Sequence, residues 1–206
     1  MFPSIPPVTW TLLLANGIVY LLQGIVGDTL LLFFALWPLH GSSPAGMAGF
    51  LPWQLVTYSF LHGNLLHLLV NMLALYMFGS DIERVFGERR YLAYYFACVI
   101  TAALAQLIVS AGSGGPPYPT VGASGGVFGV LLAFALYFPH RTVMLIFPPI
   151  PMPAWLFVTL YGALELYLGI TGTQAGVAHF AHLGGMLGGY AMIRYWRSRP
   201  PVRRRW

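Results

Sequence analysis

Six long apolar stretches, separated by short polar segments, dominate the pattern of the chain. A helix that crosses a membrane needs about 20 apolar residues, with a range of roughly 17–25. Each of the six stretches is long enough. The pattern therefore predicts an all-α polytopic membrane protein with six transmembrane helices, near Trp10–Val26, Leu55–Phe78, Tyr91–Ala111, Val121–Phe138, Pro153–Ile170 and Ala175–Ile193.

A seventh apolar stretch, Thr29–Leu39, is only 11 residues long. Its length favours an interfacial or re-entrant segment over a membrane span. Four prolines between Pro148 and Pro153 make the start of the fifth helix the least defined of the boundaries. No internal repeat or separable soluble domain is evident, so residues 1–206 are expected to form a single domain.

The composition agrees with a membrane protein. Charged residues make up 7% of the chain and apolar residues 58%, with a mean hydropathy of +0.73. A soluble globular protein carries about 25% charged residues, and a disordered chain is poor in apolar ones. Both classes are therefore excluded.

The net charge of +5 comes from ten arginines, and the chain has no lysine. A nucleic-acid groove needs charges spread along a folded face, whereas six of these arginines lie in the last 13 residues. The arginines follow the second, fourth and sixth predicted helices, and the other loops have none. The positive-inside rule then predicts that both termini are cytoplasmic. Because membrane orientation accounts for the arginines, no nucleic acid is expected as a partner.

Polar side chains within the apolar stretches are functional candidates, because they are costly in a bilayer. They fall into three clusters on the second, fourth and sixth predicted helices. The second holds His62, Asn64, His67 and Asn71, the fourth opens with Ser124 in a glycine-rich segment, and the sixth opens with His179 and His182. By topology all three clusters lie toward the outer side of the bilayer.

This set of residues is suited to nucleophilic chemistry. A serine hydroxyl needs an adjacent base, which His182 can supply to Ser124. The tetrahedral intermediate then needs donors, and the candidates are Asn71, His67 and the Ser124 backbone N–H at a helix N-terminus. No carboxylate lies near His182 in sequence, so we expect a Ser–His dyad. Glycines on both helices would allow the close approach that the dyad needs.

The motifs HGNLLHLLVNM, GASGG and AHLGGMLGG, in this order, resemble those of the rhomboid intramembrane serine proteases. The resemblance covers about residues 51–195 and leaves a basic cytoplasmic tail at 196–206. It implies Ser124 as nucleophile, His182 as base, Asn71 and His67 as the oxyanion pair, and Phe128 as an aromatic residue packed on the base.

The resemblance also implies a substrate class, which is the transmembrane segment of single-span membrane proteins within the lipid bilayer. The substrate would enter between the second and fifth helices, under a cap at Thr171–Val177. No cofactor or metal is implied. A six-helix core without added domains is typical of bacterial members, which predicts the inner membrane.

Two positions depart from the family pattern. Trp53 is followed by Gln54, where the family often has arginine, which leaves the anchoring of the first loop open. His179 precedes His182, and we assign the base to His182 because Ala181-His182-Leu183-Gly184 has the family spacing. The remaining polar residues are expected to be structural: His62, Asn64, His179, Glu165 and Cys98.

Two other functions are considered. A catalytically inactive relative that binds membrane proteins would typically lack the serine or the histidine, and both are present here. A metalloenzyme could use histidines that are three apart on a helix. However, no HExxH motif occurs, and GASGG would then be unexplained.

Overall fold

A computed structural model of the chain describes residues 4–39, 49–112, 118–144, 149–172 and 178–198. Within these ranges the chain is almost entirely helical. The helices are α1 (Pro7–Val26), α2 (Asp28–Phe34), α3 (Gln54–Thr57), α4 (Leu65–Ala74), α5 (Ser80–Phe86), α6 (Glu88–Ala111), α7 (Ser124–Tyr137), α8 (Ala154–Thr171) and α9 (His179–Ser198).

Short elements connect these helices. A 3₁₀ turn at Tyr58–Phe60 follows α3, and a π-helical turn at Leu75–Gly79 joins α4 to α5 in one continuous helix. The segment rich in proline before α8 forms a small antiparallel hairpin of β1 (Thr142–Met144) and β2 (Pro151–Pro153). The sequence pattern did not predict this hairpin.

The fold is a helical membrane bundle, as predicted. By length and composition, four helices of the described residues can cross a membrane: Pro7–Val26, Leu65–Phe86, Glu88–Ala111 and Ala154–Thr171. Helix α7 is apolar but has only 14 residues, and α9 carries two histidines and two arginines. The count of six spans stays a prediction.

The surface of the bundle is apolar where lipid would surround it. Large aliphatic side chains are among the most exposed groups, including Ile25 at 80%, Ile108 at 74% and Leu187 at 70%. The buried positions hold aliphatic side chains such as Leu75 and Ile82, several tyrosines and small residues, and also polar groups such as Gln54, Glu83 and Asn16. An exterior with so many exposed large apolar side chains is suited to lipid rather than to water.

The second predicted helix has different bounds from those that hydropathy gave. It was expected over Leu55–Phe78, but the helix begins at Leu65 and continues to Phe86. Asn64 is the N-cap, and its side-chain oxygen accepts a hydrogen bond from the His67 backbone N–H at 2.8 Å. Because such a cap satisfies a first-turn donor, it starts a helix inside an apolar run. His62 and Asn64 therefore precede the helix.

Glycines bring α6, α7 and α9 into backbone contact. A Cβ on Gly185 of α9 would overlap the carbonyl oxygen of Gly125 in α7, and one on Gly184 would come within 2.9 Å of the Thr101 carbonyl in α6. Gly129 of α7 faces Cys98 of α6 just as closely. Small residues at helix interfaces allow this approach. The close packing expected from the glycine spacing is confirmed.

Gln54 anchors the first loop. Its side chain is fully buried, its oxygen accepts hydrogen bonds from the backbone N–H groups of Trp37 and Leu51, each at 3.2 Å, and its amide nitrogen donates to the Phe33 carbonyl at 3.3 Å. Trp53 adds a bond from its indole N–H to the same carbonyl at 2.9 Å. A neutral amide thus fixes this loop at the position where the family often has arginine.

The described arginines meet at one end of the bundle. Arg84 and Arg141 share Asp81, Arg90 lies over Trp196, and Arg197 lies over Tyr137. At the same end, the buried carboxylate of Glu83 accepts hydrogen bonds from the Val8 and Thr9 backbone N–H groups and from the Thr9 hydroxyl. The start of α1 is therefore tied to α5.

Replacement of Gly185 by alanine should destabilise the bundle. The new methyl group would meet the Gly125 backbone, which cannot move as a side chain can, and overpacking of this kind costs about 1–3 kcal/mol or more. The measurement is the apparent melting temperature of the purified protein in detergent. The matched control is Gly24→Ala, because nothing lies within 4 Å of a Cβ at that position of α1. Equal melting temperatures for the two variants would contradict the packing described above.

Candidate active site

Ser124 is the first residue of α7, and the loop before it is held in one conformation. Gly122 has φ = 125°, which a side chain would strain, and its N–H donates to the Tyr58 carbonyl at 3.0 Å. Tyr58 is itself fixed by a hydrogen bond from its hydroxyl to the Val99 carbonyl. The Ser124 side chain therefore starts from a rigid turn at a helix N-terminus, where first-turn N–H groups lack intrahelical partners.

Ser124 and His182 are in direct contact. The Nε2 atom of His182, on α9, lies 2.8 Å from the Oγ of Ser124, on α7. This is an ordinary hydrogen-bond distance, at which a histidine can accept the serine proton. The histidine is buried and the serine is half-buried, so the pair is largely protected from bulk solvent.

A carboxylate lies behind the histidine. The Oε2 atom of Glu165, on α8, is 2.8 Å from Nδ1 of His182 and 2.6 Å from Nδ1 of His179. All three residues are buried. The expectation that no carboxylate accompanies His182 is therefore wrong. Glu165 is 17 residues away in sequence and on another helix, so proximity along the chain did not reveal it.

The spacing of residues along α8 does contain the missing information. Phe157, Tyr161 and Glu165 are each four residues apart and therefore share one face of the helix. The structure turns that face toward His182 and Phe128. An acidic residue that continues this aromatic stripe is thereby assigned to the site once the stripe is known to face His182.

Stacked rings fix the plane of the His182 imidazole. Phe128 lies parallel to it, with ring centroids 4.3 Å apart and an interplanar angle of 3°. Tyr161 stacks on the other face of Phe128 at 5.2 Å and 9°, and Phe157 stacks on Tyr161 at 5.6 Å. An aromatic contact with the histidine was expected at Phe128; Tyr161 and Phe157 extend the stack and were not predicted.

His67 and Asn71 both lie on α4, and the ring of His67 contacts the loop before Ser124. A Cβ built on Gly122 would be 2.7 Å from Cε1 of His67 and 2.8 Å from its Nε2, so the imidazole lies against that glycine. Asn71 is buried, and its amide nitrogen donates one hydrogen bond to the His67 carbonyl at 2.8 Å. An asparagine amide has two N–H donors, which leaves the second for another acceptor.

Among the described residues, His62 contacts the site only through the ring of His67. Its backbone N–H and carbonyl pair with the side chain of Gln23, and its buried ring contacts the His67 ring edge to face at 5.1 Å. Cys98 is buried at the interface of α6 with α7 and α9.

The side chains of Glu165, His179 and His182 also have the composition of a metal site. Their ligand atoms all lie within 4.8 Å of one another. However, a zinc ion would lie about 2.0–2.2 Å from each ligand atom. The two imidazole nitrogens instead contact one carboxylate oxygen at hydrogen-bond distance. The geometry is that of two hydrogen bonds to one carboxylate oxygen.

Comparison with known proteins places the chain in a family. The Rhomboid domain model matches residues 49–199, which include all of the residues described above as the site. The chain belongs to the rhomboid family. The resemblance noted from the sequence motifs is thus confirmed.

Among its rhomboid relatives, the chain is 32% identical to the rhomboid protease GluP of Bacillus subtilis over 138 residues, which cover 67% of this chain and 25% of that protein. It is 30% identical to presenilin-associated rhomboid-like protein A, mitochondrial, of Danio rerio, over 80% of this chain and 44% of the relative. For rhomboid protein 1, mitochondrial, of Saccharomyces cerevisiae, the identity is 28%, over 92% and 56% of the two chains. The chain thus spans about half or less of the length of these relatives.

Loss of the ring that stacks on His182 should lower the reactivity of this rhomboid site without unfolding the protein. Aromatic pairs contribute about 0.5–1.5 kcal/mol, so Phe128→Leu should slow the reaction of Ser124 with a fluorophosphonate roughly 2- to 12-fold. The control is Phe134→Leu on the same helix, whose ring contacts Phe78 instead. A similar loss in both variants would show that the stack has no specific role in the site.

Proposed function

We propose that this rhomboid-family protein is a serine endopeptidase that cleaves transmembrane segments of membrane proteins within the bilayer. The observation that carries the proposal is the 2.8 Å contact between Ser124 Oγ and His182 Nε2. A nucleophile and a base within hydrogen-bond reach, with the base oriented by a third group, is the arrangement that covalent acyl transfer requires. The naming of one relative as a rhomboid protease supports the same conclusion.

The reaction follows from this contact. Ser124 Oγ attacks the scissile carbonyl carbon while its proton moves to Nε2 of His182. The tetrahedral intermediate collapses as the C–N bond breaks, and His182 returns that proton to the leaving amine. Water then attacks the Ser124 ester, with His182 accepting a proton from the water. When the ester bond breaks, His182 gives this proton to Ser124, and the new carboxyl terminus leaves.

The oxyanion of the intermediate needs donors that are already in place. We assign this role to the backbone N–H of Ser124, the second amide N–H of Asn71 and the ring of His67. Support comes from the first position of Ser124 in α7, from the hydrogen bond that orients Asn71, and from the contact of His67 with Gly122. In this apolar setting each donor is expected to act more strongly than it would in water.

The substrate is expected to approach from lipid, between α4 and α8. Helix α4 packs on α1 and α7, whereas α8 packs on α7 and α9, so Ser124 of α7 lies on the element that the two sides share. Both helices present large apolar side chains outward, among them Leu66 and Leu160. A single-span substrate would have to unwind locally to reach Ser124. Of the cap expected at Thr171–Val177, residues 173–177 lie outside the described residues.

We further propose that the end of the bundle with the arginines faces the cytoplasm and that the protein resides in a bacterial inner membrane. The support is the positive-inside rule and the meeting of Arg84, Arg90, Arg141 and Arg197 at one end. In that orientation, chain termini on the same side of the membrane as these arginines would both be cytoplasmic.

The test of the activity uses the purified chain in lipid vesicles with a fluorescent single-span substrate. The unaltered chain should cleave it, and Ser124→Ala and His182→Ala should reduce cleavage to the level of empty vesicles, because the nucleophile or the base is lost. His140→Ala is the matched control, since His140 is exposed and lies beyond the C-terminal end of α7, whereas Ser124 is at its N-terminal end. Cleavage that persists in Ser124→Ala would falsify the proposal, and binding without cleavage across a broad set of spans would favour an inactive binding factor.

Asn71→Ala should lower kcat by about 10²-fold or less, because one of several oxyanion donors is removed. The matched control is Asn16→Ala on α1. Asn16 is equally buried and makes the same kind of local bond, from its amide nitrogen to the Leu12 carbonyl at 2.7 Å. If the two variants keep the same kcat, Asn71 only packs the helix.

A further inference from the structure

Glu165 is the only carboxylate of the described part of α8, and it is buried in an apolar bundle. Its side chain is 8% exposed, against 5% for His179 and 11% for His182. An isolated ionised carboxylate would be very costly here, so hydrogen bonds must compensate for its burial. The structure provides two, both to the single oxygen Oε2 and both from imidazole nitrogens.

The directions of these bonds define the state of His182. An ionised carboxylate only accepts hydrogen bonds, so both Nδ1 atoms must carry the protons. In a neutral imidazole the other nitrogen is then an acceptor. Nε2 of His182 consequently presents a lone pair to the Ser124 hydroxyl at 2.8 Å, which is the form that a general base needs.

His179 completes the arrangement from the other side. It is three residues before His182 on α9, so both rings project to the same side and meet at 89°. Its Nε2 is buried and has no hydrogen-bond partner among the described residues. The contact with Glu165 is thus its one polar interaction there, and it holds the carboxylate that holds His182.

We propose, on the basis of the serine protease function proposed above, that Glu165 is a positioning residue that makes the site a Ser124–His182–Glu165 triad, with His179 as a second donor to the carboxylate. Glu165 fixes the tautomer and orientation of His182 and stabilises the imidazolium that forms when Ser124 loses its proton. It touches neither the substrate nor the reacting atoms. The serine protease thus uses a carboxylate from α8, the helix at which substrate entry is expected.

The expected size of the effect follows from what carboxylates do in other serine hydrolases. There, loss of the carboxylate behind the base lowers kcat by about 10⁴-fold. In Glu165→Gln the amide can present either its oxygen or its nitrogen to two rings that both need an acceptor. We therefore expect kcat to fall by about 10²-fold or more, with KM within about threefold of its original value, because a tautomer of His182 with the proton on Nε2 cannot act as base.

Conservative replacements separate charge from packing. Glu165→Asp keeps the carboxylate on a shorter side chain and should recover most of the activity, to within about tenfold of the unaltered kcat. His179→Gln keeps an N–H donor near the carboxylate and should lose about tenfold or less. Glu88→Gln is the matched control for charge removal, because Glu88 is exposed at the start of α6, and its kcat should not change.

The experiment measures kcat, KM and melting temperature for these variants in the same vesicles and substrate, with Ser124→Ala as the blank. Unchanged kcat in Glu165→Gln, while Ser124→Ala is inactive, would overturn the triad and leave the serine protease intact. A rise in KM alone, or an Asp variant that melts normally and is no more active than the Gln variant, would also overturn it. Cleavage by Ser124→Ala would instead refute the underlying function.

A further measurement with a chelator tests whether Glu165, His179 and His182 bind a metal ion instead. We expect 1,10-phenanthroline to leave kcat unchanged, because the carboxylate holds two N–H donors rather than a metal ion. Loss of activity with the chelator and recovery on addition of zinc alone would overturn the positioning role and assign Glu165, His179 and His182 to a metal site.

Discussion

A hydrogen bond between side chains of two different membrane helices depends on how closely their backbones approach. In this protein, α9 lies so close to α7 that a single Cβ on Gly185 would overlap the backbone of Gly125, which is adjacent to Ser124. His182 precedes Gly185 by one helical turn. The glycine contact therefore sets the 2.8 Å distance between Nε2 and Oγ, and the rest of the site is arranged around that distance.

The scarcity of charge in the chain has a chemical consequence. Of the five acidic residues, Glu83 and Glu165 are buried, and each accepts hydrogen bonds from other parts of the bundle. Glu83 receives the first backbone N–H groups of α1, and Glu165 receives two histidines. A buried carboxylate in an apolar bundle is stable only with such partners. The hydrogen bond that compensates for the burial of Glu165 also orients the ring of His182.

Hydropathy predicted the helical membrane bundle, and the motifs predicted the contacts of His182 with Ser124 and Phe128. The observed start of α4 differs from the start predicted from hydropathy, because Asn64 caps the helix inside an apolar run. Glu165 was missed because its partners lie on another helix, 14 and 17 residues away. Glu165 shares a helix face with Phe157 and Tyr161, but this spacing identifies it as a partner of His182 only once that face is known to contact the histidine.

If Glu165 orients His182 as we propose, the histidine is held in the form that can take a proton from Ser124. ¹⁵N NMR of the histidines in the active chain, with His182 assigned by its loss in His182→Ala, reports the proton on each ring nitrogen directly. We expect that Nδ1 of His182 is protonated and that Nε2 is an unprotonated acceptor. A His182 with its proton on Nε2 in the resting protein would contradict it.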